Sequence, residues 1–230
     1  MSDPIRVLLV GATGLVGQAV LDAAAGRPGV RMVALGRRAA PLPAGAQMEQ
    51  LVIAPEHWGD AVAQVRPDVI VLALGTTIAA VGGDRAAFRA VDHDLTLRCA
   101  TAARQTGVAH AILVSSVGAD PAARTFYLAT KGEVERDVAA LGLPRCDILR
   151  PGLLRGARQG AVRPAERVGM AVAPLVDWAL RGALSRYRSI TASTVGQAIV
   201  NLASVQADGR FVHHFRSIHS AARGTAYPGS

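Results

Sequence analysis

The chain has one lysine. Of the 25 lysines and arginines in its 230 residues, all but Lys131 are arginine. An ammonium is a compact point donor on a flexible stem, whereas a guanidinium is a planar fork that keeps its proton, so a position that retains the ammonium asks for its chemistry. Aromatic residues are also scarce, at 4%. The arginines form no block, so the net charge of +8 comes with neither a stacking platform nor a basic groove, and no nucleic-acid partner is expected. There are only two cysteines, Cys99 and Cys146. Both lie in apolar contexts without metal-ligand spacing and read as buried free thiols. No uninterrupted apolar run of about 18 residues occurs, and Met1-Ser-Asp-Pro4 leads straight into strand-like residues. Neither a membrane span nor a signal peptide is indicated, and a cytoplasmic protein is expected.

What is present is a chain that is half apolar and long enough for one substantial core. Short runs rich in Val, Ile and Leu lie over 5–10, 30–35, 48–53, 69–74, 111–115 and 146–149. They are nearly continuous rather than alternating, as strands covered on both faces are. Between them, 15–25, 57–65, 85–106 and 126–141 have the length of crossover helices. The expected fold is a doubly wound α/β domain with a parallel sheet and helices on both faces. From Pro151 to residue 190 the beat breaks, with Pro164, Pro174 and an amphipathic stretch over 173–184 that includes Trp178. That segment is expected to cover the sheet's C-terminal edge as a small substrate-covering region. A helix over about 194–205 and a strand over 210–215 would complete a single domain of residues 1–216, leaving 217–230 as a loose tail.

Lys131 lies four residues after Tyr127, on the same face of the predicted helix. An ammonium there favours the phenolate, which makes Tyr127 a candidate acid/base; the alternative is an ordinary surface lysine. Directly after the first strand, Gly11-Ala-Thr-Gly14-Leu-Val-Gly17 opens the first helix. Glycines at this spacing permit a tight turn and let the backbone approach a pyrophosphate seated on the helix's amide end. Gly11, Thr13, Gly14, Leu15, Val16 and Gly17 are therefore candidate dinucleotide contacts. The second strand ends in Arg37-Arg38, where an acid would meet a free ribose 2′-hydroxyl; two guanidiniums suit a 2′-phosphate and favour NADP(H) over NAD(H). Leu74, Gly75, Thr76 and Thr77 end the fourth strand where a dinucleotide crosses. His213, His214 and His219 could be imagined around a metal, but no carboxylate pattern accompanies them and no metal is expected. His57, His93 and His110 have no partner that the sequence reveals.

With these elements in place, the chain resembles the atypical short-chain dehydrogenase/reductases, and among them the oxidoreductases related to the Tat-interactive protein. The resemblance is carried by the glycine loop, Leu74-Gly-Thr-Thr77, Val91-Asp-His-Asp94, Val114-Ser-Ser-Val-Gly-Ala-Asp120, Tyr127-Leu-Ala-Thr-Lys-Gly-Glu-Val-Glu135 and Leu149-Arg-Pro-Gly-Leu-Leu154. It implies a Rossmann-like fold, NADP(H) as cofactor, and a catalytic set of Tyr127 as acid/base, Lys131 as its support and ribose ligand, and Ser116 or Ser115 on the substrate oxygen. Ser116 is preferred, and only one of the two can face the substrate. Pro151 and Gly152 are expected beside the cofactor. Many relatives carry an Asp for the adenine amino group after the third strand; here Ile53-Ala54-Pro55 stands instead. A small carbonyl or alcohol substrate is expected, with hydride transfer as the reaction. An NADP(H)-binding regulator without turnover is the alternative. No membrane partner is expected, and a homodimer is left open.

Overall fold

In a computed structural model, residues 3–156 and 182–225 are described. Seven parallel strands form one sheet in the order β3-β2-β1-β4-β5-β6-β9. They are β1 (Ile5–Val10), β2 (Val30–Gly36), β3 (Glu49–Val52), β4 (Val69–Leu72), β5 (His110–Val114), β6 (Arg145–Leu149) and β9 (Gly209–His213). Two short strands, β7 (Leu154–Arg155) and β8 (Ile190–Thr191), pair beside it. The crossovers are α1 (Leu15–Ala24), α2 (Trp58–Val65), α3 (Arg85–Arg89), α4 (Thr96–Gln105) and α5 (Phe126–Ala140), followed by α6 (Ala192–Leu202) and α7 (Phe215–Ala222).

Continuous apolar strands dictate this arrangement, because each one needs cover on both faces. Alternate residues of a strand divide between the faces: Val7 and Leu9 pack with α1, α6 and α7, while Leu8 and Val10 pack with α2, α4 and α5. Ile112 and Val114 of β5 belong to the first face, Ala111 and Leu113 to the second. Fully buried side chains such as Ile70, Leu72 and Ile148 contribute about 1.5–3 kcal/mol each by leaving water. Cys99 and Cys146 are free and buried as expected, and burial pushes their thiols up to about 12 and about 11.

Three expectations need correction. The helix expected over 85–106 is interrupted by a π-helical turn at Ala90–Leu95, so it reads as α3, the turn and α4. Residues from 217 onward do not begin as a loose tail: α7 runs through Ala222 and buries Ser217, Ile218 and Ala221. Its Phe215–Ile218–Ala222 stripe is too short to stand out from a small, polar context. His110 and His213 have partners that the sequence does not reveal. Fully buried Asp147 accepts from His110 Nε2 at 2.7 Å, His213 Nε2 at 2.6 Å and Arg145 Nε at 2.6 Å. This cluster ties β5, β6 and β9 together on the α6 face. The substrate-covering region meets the structure only at its flanks, since residues 157–181, with Pro164, Pro174 and Trp178, lie outside the described residues.

The Asp147 cluster makes stability acid-sensitive. Burial pushes the Asp147 carboxyl up, but the hydrogen bonds from His110, His213 and Arg145 together outweigh it and hold it below the usual carboxylate range. Burial pushes His110 below the ordinary histidine value, against the pull of Asp147. Both groups are depressed on folding, so each contributes stability that is present above its unfolded pKa and lost as pH falls. With unfolded values near 6.5 and 3.9, the thermal midpoint should fall between pH 7 and 5 and again below about pH 4. Melting curves followed by circular dichroism test this, and a midpoint that stays flat from pH 7 to 3.5 would contradict it.

Candidate active site

Parallel strands put all their carboxyl ends on one edge, and the chain order reverses between β1 and β4. That reversal opens a crevice where ligands of such sheets bind. The expected residues fall along this edge on five adjoining strands: Arg37 and Arg38 after β2, the glycine loop after β1, Leu74 to Thr77 after β4, Ser115 and Ser116 after β5, and Pro151-Gly152 after β6.

The glycines of the loop are there for different reasons. Gly11 has φ +95°, and a Cβ on it would stand 2.6 Å from the Ala73 carbonyl oxygen. A Cβ on Gly17 would stand 2.2 Å from the Gly11 oxygen, so this residue lets α1 close onto the loop. Gly14 is otherwise: a Cβ there meets nothing nearer than the Gly11 oxygen at 3.4 Å. Nothing among the described residues demands glycine at 14. Gly14 is also the N-cap of α1 and supplies no side-chain cap, and the first turn carries no acid. By contrast Asp84, Thr125 and Thr191 cap α3, α5 and α6 with side-chain oxygens. The first-turn amides of α1, at Leu15, Val16 and Gly17, thus remain donors without a side-chain cap, a setting suited to a phosphate. Arg37 and Arg38 are exposed at the end of β2, with no ion pair to a described residue.

Lys131 lies deep. Its side chain is 6% exposed, and its ammonium is 2.8 Å from Oδ1 of Asp92, which is itself fully buried. The contact is an ion pair more than a well-directed hydrogen bond. Oδ2 of Asp92 accepts the Thr76 backbone N–H at 2.8 Å. A Cβ on Gly75 would lie 3.8 Å from Asp92 Oδ1 and 4.0 Å from Lys131 Nζ. The structure thus brings Lys131, Gly75 and Thr76 into one cluster. Asp92 joins it from the π-helical turn; the sequence offered it only as part of Val91-Asp-His-Asp94, with nothing to single it out. Tyr127 begins the same helix one turn earlier and is 36% exposed. Its ring packs against buried Phe88, with centroids 5.8 Å apart.

The two serines part company at the end of β5. Backbone bonds from Ser115 N to Leu149 O and from Val117 N to Pro151 O continue the β5–β6 ladder past Val114. Alternation therefore carries Ser115 to the face of α5, which holds Tyr127 and Lys131, and Ser116 to the opposite face. Ser115 is buried, and its hydroxyl has no hydrogen-bond partner. Ser116 is half-buried and donates weakly to the Val117 carbonyl at 3.4 Å. Gly152 is explained by packing alone, since a Cβ would meet the Arg188 oxygen at 2.3 Å. Beneath this end of β6, Arg150 grips buried Glu135 of α5 with Nε at 2.9 Å and Nη2 on the other oxygen. Two surface depressions, of about 760 and 600 Å³, lie at the sheet's opposite edge and between α2 and α4, and touch none of these residues.

Comparison with known proteins shows the family and the fold. Residues 11–174 match the model of the NAD(P)H-binding family. The chain is 38% identical over 170 residues to the mitochondrial protein Fmp52 of Emericella nidulans, covering 71% of this chain and 72% of that one. It is 42% identical over 154 residues to mitochondrial Fmp52 of Saccharomyces cerevisiae, covering 66% of each. The expectation of a cytoplasmic protein is overturned by these relatives, which are named as mitochondrial. Among solved structures, MoeE5 in complex with UDP-glucose and NAD superposes with a TM-score of 0.67 at 21% identity, over 91% of this chain and 75% of that one. The dTDP-4-dehydrorhamnose reductase of Bacillus anthracis, in complex with NADP, gives 0.65 at 13% identity, over 97% and 82%. At such identities the likeness shows the Rossmann-like fold.

Proposed function

The chain belongs to the NAD(P)H-binding family, and from that premise we propose an NADP(H)-dependent oxidoreductase of the atypical short-chain dehydrogenase/reductase type. Its motifs support a place near the oxidoreductases related to the Tat-interactive protein. The observation that carries the reading is the sole lysine, buried at the dinucleotide edge on the helix that presents Tyr127. The residues present fit the cofactor: no side chain at Gly14, uncapped amides on α1, and two arginines without an ion pair to a described residue where a 2′-phosphate would lie. When bound, the cofactor would supply or accept a hydride.

The chain's own part follows from where its groups lie. First-turn amides of α1 would hold the pyrophosphate, and Gly75, which brings no side chain beside Lys131, would face the ribose. In the reductive direction Tyr127 gives its phenolic proton to the developing alkoxide, and Lys131 stabilises the phenolate left behind. Ser115 takes the place first given to Ser116. Its buried hydroxyl, on the α5 face and without a partner, is a donor held for the substrate oxygen. In this reading the single domain expected over 1–216 extends to Ala222 through α7, whose Ile218 and Ala221 join the core, and the substrate is a small carbonyl or alcohol.

The cofactor preference gives a direct test. NADPH should bind more tightly than NADH, and Arg37→Ala or Arg38→Ala should cut that preference roughly ten- to a hundredfold, the value of one charge-assisted phosphate contact. Calorimetric titration of both nucleotides decides it. Equal affinities in the unmodified protein would remove the 2′-phosphate site.

A further inference from the structure

We propose that Asp92 is a positioning residue for Lys131, holding the ammonium with one carboxylate oxygen and the loop crossed by the dinucleotide with the other. The inference rests on the catalytic reading of Lys131 given above, and it adds a fourth side chain whose charge sets how the lysine acts. A lysine stem has several rotatable bonds, and burial alone would not choose among their rotamers. The Asp92 carboxylate chooses, because Oδ1 sits 2.8 Å from Nζ while Oδ2 is anchored 2.8 Å from the Thr76 amide. Lysine, carboxylate and loop therefore keep one mutual geometry.

The π-helical turn at Ala90–Leu95 makes the placement. In it the neighbours Asp92 and His93 are both buried. The turn lets both neighbours meet α5, Asp92 at Lys131 and His93 at Asp137, while Asp92 also reaches the Thr76 amide. Its ring bridges Asp94 at Nδ1 and Asp137 of α5 at Nε2, each at 2.8 Å. That bridge locks the turn to the helix carrying Tyr127 and Lys131, and such turns recur at functional sites.

The charge on Asp92 matters because, among the described residues, the acids near this site are engaged elsewhere, and Arg85 of α3 lies over the Phe126 ring. On α3 and the turn, Arg89 is paired with Glu133, and His93 with Asp94 and Asp137. Arg136 pairs with Asp137. From α5 and the end of β6, Glu135 is taken by Arg150. Asp120, on the loop before α5, accepts from the Ala122 amide. Among the described residues the ammonium of Lys131 is thus compensated by Asp92, and a neutral residue there would leave a buried cation on the helix that carries Tyr127.

A protein with one lysine can report on it directly. Lysine labelled with ¹³C and ¹⁵N gives a single side-chain signal, whose Cε shift followed against pH titrates Lys131 with no need for turnover. Asp92→Asn keeps the shape and an acceptor for the Thr76 N–H but removes the charge. The Lys131 midpoint should then move down by about one unit or more, as expected when a buried cation loses its counter-charge. In the same variant kcat for carbonyl reduction should fall more than NADPH affinity, and its alkaline limb should move to lower pH. An unchanged Lys131 midpoint would overturn the proposal, even if activity changed. Should Asp92→Asn not fold, the native protein suffices: an ammonium held by Asp92 exchanges its protons slowly enough for a resolved ¹H–¹⁵N signal near neutral pH, and absence of that signal would overturn it. A native protein inactive on every carbonyl offered would count against the oxidoreductase reading, while the lysine titration would still decide the role of Asp92.

Discussion

Tyr127→Phe should reduce NADPH-dependent carbonyl reduction about a hundred- to ten-thousandfold, the usual contribution of a positioned general acid, or about 2.7–5.5 kcal/mol in the barrier. The phenylalanine ring keeps the packing on Phe88, so fold and NADPH affinity should stay near those of the parent. Lys131→Arg is the companion. It keeps a positive charge, but a planar fork on a longer stem cannot occupy the small space between Asp92 Oδ1 and Gly75, so most turnover should go while NADPH binding falls less. The measurement is loss of the reduced nicotinamide absorbance with a panel of small aldehydes, ketones and quinones. If the parent turns over none of them while binding NADPH, or if Tyr127→Phe matches the parent, the oxidoreductase reading fails and a cofactor-binding regulator takes its place.

The fold was legible because the strands are short, apolar and separated by helical segments of crossover length; that pattern reports two-sided burial, which is a property of the sheet as a whole. The Gly11–Gly17 loop and the Tyr127–Lys131 spacing stand out in the sequence for a local reason, since each is a pattern of residues a few positions apart. Asp92 does not, for its role is defined by a contact across 39 positions of chain, and a helix of ordinary period would not have aimed it at Lys131. The choice of Ser115 over Ser116 needed the hydrogen bonds that extend β5 to Val117; in sequence either serine could have ended the strand. His110 and His213 lacked visible partners for a similar reason. Asp147 lies between their strands only once the sheet is ordered β5-β6-β9.

Gly14 and Gly17 look alike in sequence, and substituting each should separate binding from folding. Gly14 has φ −77° and ψ 167°, a conformation open to any residue, and a Cβ there makes only ordinary contact with the Gly11 oxygen. Gly14→Val should therefore fold. Its cost is that of a poor N-cap, about 1 kcal/mol, or a melting point lower by roughly 2–4 °C. The isopropyl group would fill the space through which the α1 amides meet a pyrophosphate, so NADPH affinity should drop by roughly a hundredfold or more, equivalent to about 2.7 kcal/mol. Gly17→Val places its Cβ 2.2 Å from a backbone oxygen that has no room to retreat. Overpacking of this kind costs about 1–3 kcal/mol or more, so this variant should melt well below Gly14→Val or fail to fold. Titration with NADPH and thermal melts on the two variants side by side make the comparison. Near-normal binding by Gly14→Val would reduce the loop to a turn, whereas selective loss of binding there, with selective loss of stability in Gly17→Val, assigns one glycine to the ligand and the other to the protein.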